Sequence, residues 1–425
     1  MVLKMRKMKA SGIEWIGEIP EGWETINPKA LFIQRKDRAS KGERQLTSSQ
    51  QYGILYQDEY MELTGSKVVT VEKDFNILKH VEAGDFVISM RSFQGGLEYS
   101  TKSGAISSAY VMLVPNLELV YPRFYRWLLK SSVYIDALQR TTNMVRDGQA
   151  MRYSNFAQVR LFTLPLDEQK SRADFLDVKC SSIDKMLSKT RSSIEEYKKL
   201  KQAVIKQAVT KGVRGKREMK DSGVEWIGEI PKEWDILNLV AHTSMLTPMR
   251  DRPENLDGSI PWIRIEDFDG KYISSSKASL GVSKETVQSM NLKIYPVGTI
   301  LCTSSCIMGK CAIVSRELVS NQRFIGIIPD QNTCENFLYY LMLSNSERMN
   351  YLATGALQAN LSRSSFEHLK VQFPSYQEQK EIADYLDAKC AEIDGLIAKK
   401  EQLVKELESY KKSLIYEVVT GKREV

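Results

Sequence analysis

The sequence predicts an α+β chain. Two globular blocks of mixed helix and strand are separated by two long helices lying antiparallel as a coiled coil, in a pseudo-twofold internal duplication. Three observations predict it: two sequence blocks recur at a nearly constant offset, an apolar seam runs through each of two long segments, and short β-rich runs alternate with helical stretches between them.

The repeat comes first, because it organises the rest. Ser11-Gly12-Ile13-Glu14-Trp15-Ile16-Gly17-Glu18-Ile19-Pro20 returns as Ser222-Gly223-Val224-Glu225-Trp226-Ile227-Gly228-Glu229-Ile230-Pro231, and Trp23 returns as Trp234, at offset 211. A second block returns at offset 210: Glu168-Gln169-Lys170 with Glu378-Gln379-Lys380, Asp177 and Cys180 with Asp387 and Cys390, and Val209-Thr210 with Val419-Thr420. Between these blocks the halves diverge. A fainter echo aligns Gly84, Tyr110 and Pro115 with Gly298, Phe324 and Pro329 at offset 214. Gly421-Lys422-Arg423-Glu424 resembles Gly215-Lys216-Arg217-Glu218, so the chain stops where its first motif would begin again, as in a closed ring of segments.

The second repeated block reads as helix. Ala173, Leu176, Cys180, Ile183, Leu187, Thr190, Ile194, Tyr197, Lys201, Val204 and Ala208 follow a 3,4 spacing. Ala383, Leu386, Cys390, Ile393, Ile397, Lys400, Val404, Leu407, Lys411, Leu414 and Val418 repeat it. That is a heptad seam. About 40 residues at 1.5 Å each make a rod of roughly 60 Å. Pro165 and Pro374 stand before the starts, and Gly212 and Gly421 after the ends. A rod this long needs a partner, and its own repeat is the nearest. Phe175, Val178, Ile205 and Val209 widen the stripe beyond a two-stranded seam. Helices of another chain or the globular blocks would cover them.

The resulting segments are 1–23 (first repeated motif), 24–165 (first globular block), 166–211 (central helix), 212–234 (linker with the second motif), 235–374 (second globular block) and 375–425 (C-terminal helix). In the blocks, Val68-Val69-Thr70-Val71 and runs beginning at Asp85, Ala109, Thr299 and Phe324 read as strands. Runs beginning at Phe124 and Phe337 read as helices.

Composition limits the function. The chain has 425 residues, 42% hydrophobic and 27% charged, with net charge +7. That is globular usage, and the charge favours a polyanionic partner. No run approaches the roughly 18 apolar residues of a membrane span. Polar residues stand where a signal peptide would place its apolar core, and six Cys are too sparse for a disulfide scaffold. The expected setting is the cytoplasm. Charge is uneven: counted along the sequence, block 24–165 has 18 Lys+Arg against 14 Asp+Glu, and block 235–374 has 13 against 13. Nucleic acid would therefore have to be met by local clusters that read base edges. Arg suits guanine, and Asn or Gln suits adenine. The candidate DNA-contacting residues in the first block are Arg91, Ser92 and Gln94 on one loop, then Arg140, Asn143, Arg146, Gln149 and Arg152 on another. The second block offers Arg250, Arg252, Arg264, Ser304, Lys310, Asn321, Gln322, Arg323, Gln358, Asn360 and Arg363.

Catalytic patterns fail one by one. The stretch from Ser304 to Cys311 lacks the first Gly and the hydroxyl of a phosphate-binding loop. Cys302, Cys306 and Cys311 lack metal-site spacing and read as buried thiols. His80, His242 and His368 stand far apart. There is no nucleophile elbow and no Asn/Asp-Pro-Pro-aromatic motif of amino-methyltransferases. Cys180 and Cys390 sit on the seams, so packing explains them. The Trp motif is too apolar for a catalytic loop and reads as a packing staple between a globular block and a helix end.

Taken together, the paired Trp motifs, the paired Glu-Gln-Lys helices ending in Val-Thr and the two divergent blocks resemble the specificity subunit of type I restriction-modification systems. The resemblance spans the whole chain, including order, spacing and the near-cyclic ends. It implies that each block is a target recognition domain. It also implies that the helices space the two domains and dock two modification (methyltransferase) subunits. Leu187, Ile194, Ile205, Ile397, Leu407 and Ile415 are then the candidate subunit interface. The family's chemistry resides elsewhere. S-adenosylmethionine is held by the modification subunits and ATP by a separate restriction subunit, so this chain is expected to hold no cofactor or metal and to catalyse nothing. Its expected partner is double-stranded DNA carrying an asymmetric two-part target with an unread spacer. A competing reading, supported by the neutral second block, is an assembly scaffold whose two blocks bind protein.

Overall fold

The computed structural model describes residues 6–71, 75–89, 95–141, 151–248, 252–305, 309–353 and 361–425. The chain divides into two compact units. Unit 1 joins Met1–Arg191 to Gln402–Val425, and unit 2 is Ser192–Glu401. Among the described residues no helix is long and apolar enough to cross a membrane.

Two long helices, Leu166–Lys211 and Tyr376–Val419, contain 46 and 44 residues. Gly212 (φ 73°) and Gly421 (φ 76°) follow them in the left-handed region that ends helices without a Cβ penalty. Within unit 1 the helices run in opposite directions: Asp184 pairs with Lys411, and Arg191, further along, pairs with Glu408, earlier in its helix. Unit 2 shows the same sense, Lys201 pairing with Asp394 and Arg214 with Glu381. Every seam position of both heptad tracks is buried or half-buried. The four residues that widen the stripe divide. Ile205 and Val209 join the core of unit 2, and Phe175 packs on that of unit 1. Val178 stays 69% exposed.

Unit 1 carries a four-stranded antiparallel sheet in the order Phe32–Arg35, Val111–Pro115, Phe86–Ile88, Glu98–Tyr99. Unit 2 carries five strands in the order Thr243–Leu246, Phe324–Pro329, Ile300–Thr303, Cys311–Val314, Tyr272–Ile273, with only the last pairing parallel. The faint echo at offset 214 thus marks matching strands of the two sheets. The helices Pro122–Leu128 and Glu335–Ser344 cover the expected helical runs. Residues 68–71 form no strand. Glutamine side chains take the place of a neighbouring strand there. Gln45 both donates to and accepts from the Val71 backbone, and Gln57 donates to the Val69 carbonyl.

Each Trp motif folds as a small hairpin, Met8–Ala10 on Glu18–Pro20 and Met219–Asp221 on Glu229–Pro231. It delivers a fully buried indole to the start of a long helix. Trp23 Nε1 donates to Glu168 at 3.1 Å, and Trp234 Nε1 donates to Glu378 at 3.0 Å. The repeated Glu is therefore an indole acceptor. The repeated Gln beside it fixes the incoming chain. Gln169 accepts from the Tyr121 amide and donates to the Leu119 and Leu164 carbonyls. Gln379 accepts from the Cys334 amide and donates to the Asn332 and Pro374 carbonyls. Each buried amide thus satisfies three backbone groups that burial would otherwise leave unpaired. About two turns further along, Asp177 accepts from Arg123, Arg126 and Trp127 Nε1, while Asp387 accepts from Tyr340 and Lys271. Burial would raise the Asp177 pKa, but these donors outweigh it and hold the carboxylate below its usual range. The blocks that the sequence repeats are thus those that attach each globular block to its helix.

Candidate nucleic-acid interface

Unit 2 gathers three loops at one serine. The hairpin of Ile300–Thr303 and Cys311–Val314 ends in Ser304, whose amide donates to the Arg323 carbonyl at 2.8 Å. The Ser304 carbonyl accepts the Leu361 amide at 2.9 Å. Residues 321–323 form a tight turn, with Asn321 Oδ1 accepting the Arg323 amide and the Asn321 carbonyl accepting the Phe324 amide. This is the local turn chemistry that Asn favours. Ser362 Oγ caps the helix Arg363–Glu367. Lys310, Gln322, Arg323 and Arg363 are exposed around this junction, and Ser304 is buried beneath them. Three basic groups and an amide on one polar surface suit phosphate and base-edge contact.

Other candidates are differently engaged. Arg363 pairs with Glu367 at 2.7 Å. Arg264 is half-buried and pairs with Glu266, while its amide donates to the buried Asp267. Arg252 is exposed. Among the described residues no hydrogen bond or ion pair joins Arg252 or Arg264 to the Ser304 junction. Arg250, Gln358 and Asn360 lie outside the described residues.

In unit 1, Arg91, Ser92, Gln94, Asn143, Arg146 and Gln149 lie outside the described residues. The base of the second loop is described. Asn155 accepts from the Arg152 amide and donates to the Thr141 carbonyl, which ties the two ends of that loop together. Arg152 is exposed, and Arg140 pairs with Glu14 of the Trp motif at 2.7 Å. Such an exposed pair contributes little, about 0–1 kcal/mol, and leaves Arg140 able to exchange partners.

Sequence reasoning missed one element here. Ser107 Oγ accepts the Ala109 amide, and its carbonyl accepts the Tyr110 amide. This is the turn of Asn321, 214 residues earlier. The offset that aligned Tyr110 with Phe324 was the signal that could have found it.

The six candidate interface residues are used inside the units. Leu187 and Ile194 are buried on the first helix, and Ile205 lies in the core of unit 2. Leu407 and Ile415 pack on the core of unit 1, and Ile397 is half-buried. The large apolar side chains that the helices present to solvent are others, among them Val178, Met186, Leu200, Tyr385, Leu403 and Tyr410.

Comparison with known proteins is direct. Residues 235–406 match the family described as type I restriction modification DNA specificity domain. The putative type I restriction enzyme MjaX specificity subunit of Methanocaldococcus jannaschii is 24% identical over 427 residues, covering 96% of this chain and 95% of that one. The second half of the chain thus matches a type I specificity domain, and nearly its whole length is similar to a type I restriction enzyme specificity subunit. A more local match within that family is the MjaIX specificity subunit of the same organism, 34% identical over 168 residues, which is 38% of each chain. The EcoKI specificity subunit of Escherichia coli is 26% identical over 208 residues, 46% of this chain and 44% of that one.

The fold agrees. A chain from the work on complex assembly and conformational transition of the type I R-M system has TM-score 0.74 at 12% identity, covering 95% of this chain and 99% of that one. The HsdS subunit from Thermoanaerobacter tengcongensis has TM-score 0.54 at 12% identity, covering 95% and 98%.

Proposed function

We propose that this specificity subunit reads DNA and performs no chemistry of its own. Each globular block reads one half of an asymmetric, two-part target, and the helices set the spacing between the halves. The observation that carries the reading is the contrast between frame and surface. The two copies share their staples, helices and strand order, yet place different side chains on equivalent turns, Ser107 and Ser108 against Asn321 and Gln322. A duplicated frame with unlike reading surfaces suits a target whose halves differ.

Two modification subunits dock along the helices, with restriction subunits joining the larger assembly. The exposed Val178, Met186, Leu200, Leu403 and Tyr410 are better placed to meet them than the seam residues, which are already covered. S-adenosylmethionine and ATP belong to those partners, and the setting is the cytoplasm.

The test is a salt-dependent gel shift on duplex DNA, using the chain with its modification subunits. Binding should occur and weaken steeply with salt, as phosphate contacts require. Absence of binding by the assembled complex would contradict the reading and favour the protein-binding scaffold that the neutral charge of residues 235–374 suggests. Methyl transfer by the purified chain alone would contradict its non-catalytic part.

A further inference from the structure

Neither the reading surface nor the staples use the sulfur pair of unit 2. Cys302 and Cys311 face each other across the antiparallel strands Ile300–Thr303 and Cys311–Val314. The next residue pair is hydrogen-bonded, since the Thr303 amide donates to the Lys310 carbonyl at 2.9 Å. Cys302 and Cys311 therefore occupy a non-hydrogen-bonded position, where facing Cα atoms are about 4.5 Å apart and side chains come closest. That separation falls within the roughly 4.4–6.8 Å span of disulfides. The two Sγ atoms are 2.8 Å apart. A disulfide bond is about 2.05 Å long, so closure asks for a relative shift of only about 0.8 Å.

We propose that Cys302 and Cys311 are a redox-modification site, a dithiol that closes into a cross-strand disulfide when it meets a small disulfide oxidant of the glutathione class. Cys311 reacts first. It is 5% exposed against 0% for Cys302, and it follows the exposed Lys310. Its thiol loses a proton to solvent, and the thiolate attacks the oxidant's sulfur, releasing one small thiolate. Cys302 then loses its proton and attacks the Cys311 sulfur of the mixed disulfide, releasing the second. Both protein thiols are oxidised, the oxidant is reduced to two thiols, and the released thiolates take up protons. Burial pushes the Cys302 thiol well above its usual pKa, which makes the second step slow and shields the finished bond. The bond would join the two strands at the base of the hairpin end that carries Ser304 and Lys310, a reversible modification of the kind a reducing compartment permits.

The experiment treats the full chain with excess oxidised glutathione, maps disulfides by non-reducing peptide mass spectrometry, and counts free thiols after denaturation. A peptide pair joining Cys302 to Cys311 is expected, with the count of six thiols falling by two. Amide exchange at Thr303 should also slow, and dithiothreitol should reverse both changes. Cys311→Ser should lose the linked peptide. Unmodified thiols at both positions, glutathione left on Cys311, or a bond from either residue to Cys306 would overturn the proposal.

Discussion

Phe162 and Arg172 in the first copy stand where Gln372 and Ile382 stand in the second, 210 residues on. In unit 1, Phe162 stacks on Trp23 at 5.0 Å. Arg172 lies over the same indole, bonds Glu168, and donates to the Val418 carbonyl in the last turn of the other helix. In unit 2, Ile382 is buried in Arg172's place, and Gln372 instead donates to the Val209 carbonyl near a helix end. The guanidinium over Trp234 comes from Arg217, 5.1 Å from the ring and paired with Glu378. Unit 1 retains the equivalent Arg6 as well, paired with Glu168. A buried carboxylate under an indole requires a cation, and a buried helix-end carbonyl requires a donor. Duplication preserved both requirements while the residues that meet them changed places.

This exchange makes Arg172 the most sensitive polar position of the frame. Arg172→Ile takes a buried partner from the half-buried Glu168 and orphans the Val418 and Arg423 carbonyls, at a cost of about 1–3 kcal/mol for each carbonyl. Adding Phe162→Gln should recover part of that loss, as the second copy does with Gln372 and Ile382. Chemical denaturation of the single and double variants checks it, and purely additive losses would mean that the two positions are not exchangeable.

Acid should act on unit 1 through Glu168. Burial alone would raise its pKa, but hydrogen bonds from Arg6, Arg172 and Trp23 outweigh this and hold it at about 2. Burial also pulls the Arg172 guanidinium below its usual value, so the pair gains less than the carboxylate alone indicates. Unfolded, the carboxyl titrates near 4.3. Its contribution, on the order of 2 kcal/mol after solvent screening, is thus full above about pH 4.3 and is lost as pH falls toward 2. Thermal melts of wild type and Glu168→Gln should converge across that window.

Gln372→Leu leaves the Val209 carbonyl without its donor and should cost about 1–3 kcal/mol. The smallest effect on stability is expected on the outer helix faces. Met186→Asp with Leu403→Asp should change stability by about 0.5 kcal/mol or less per site yet release the modification subunits in size-exclusion chromatography. Leu187→Asp, by contrast, should unfold unit 1.

The helices were the most legible part of the chain, because a 3,4 seam between a proline and a glycine has one structural reading. The staple was legible as packing, since Trp23 and Trp234 recur in apolar settings. The polar work of Glu168, Gln169 and Asp177 was not, because their partners Trp23, Tyr121 and Arg123 lie 145, 48 and 54 residues away. The strand expected at residues 68–71 failed for the same reason: β-branched residues supply propensity, but Gln45 and Gln57 supply the pairing. At the Ser304 junction, Lys310, Arg323 and Arg363 were visible as residue types. Their convergence rests on two backbone bonds of Ser304, which no local pattern announces.

A shared frame carries unlike surfaces on its two copies. Replacing residues 24–165 with the corresponding block of another specificity subunit, then sequencing methylated genomic DNA, tests it most directly. The recognised motif should change in one half only, with the other half and the modification chemistry retained. A motif that is unchanged, or altered in both halves, would contradict it.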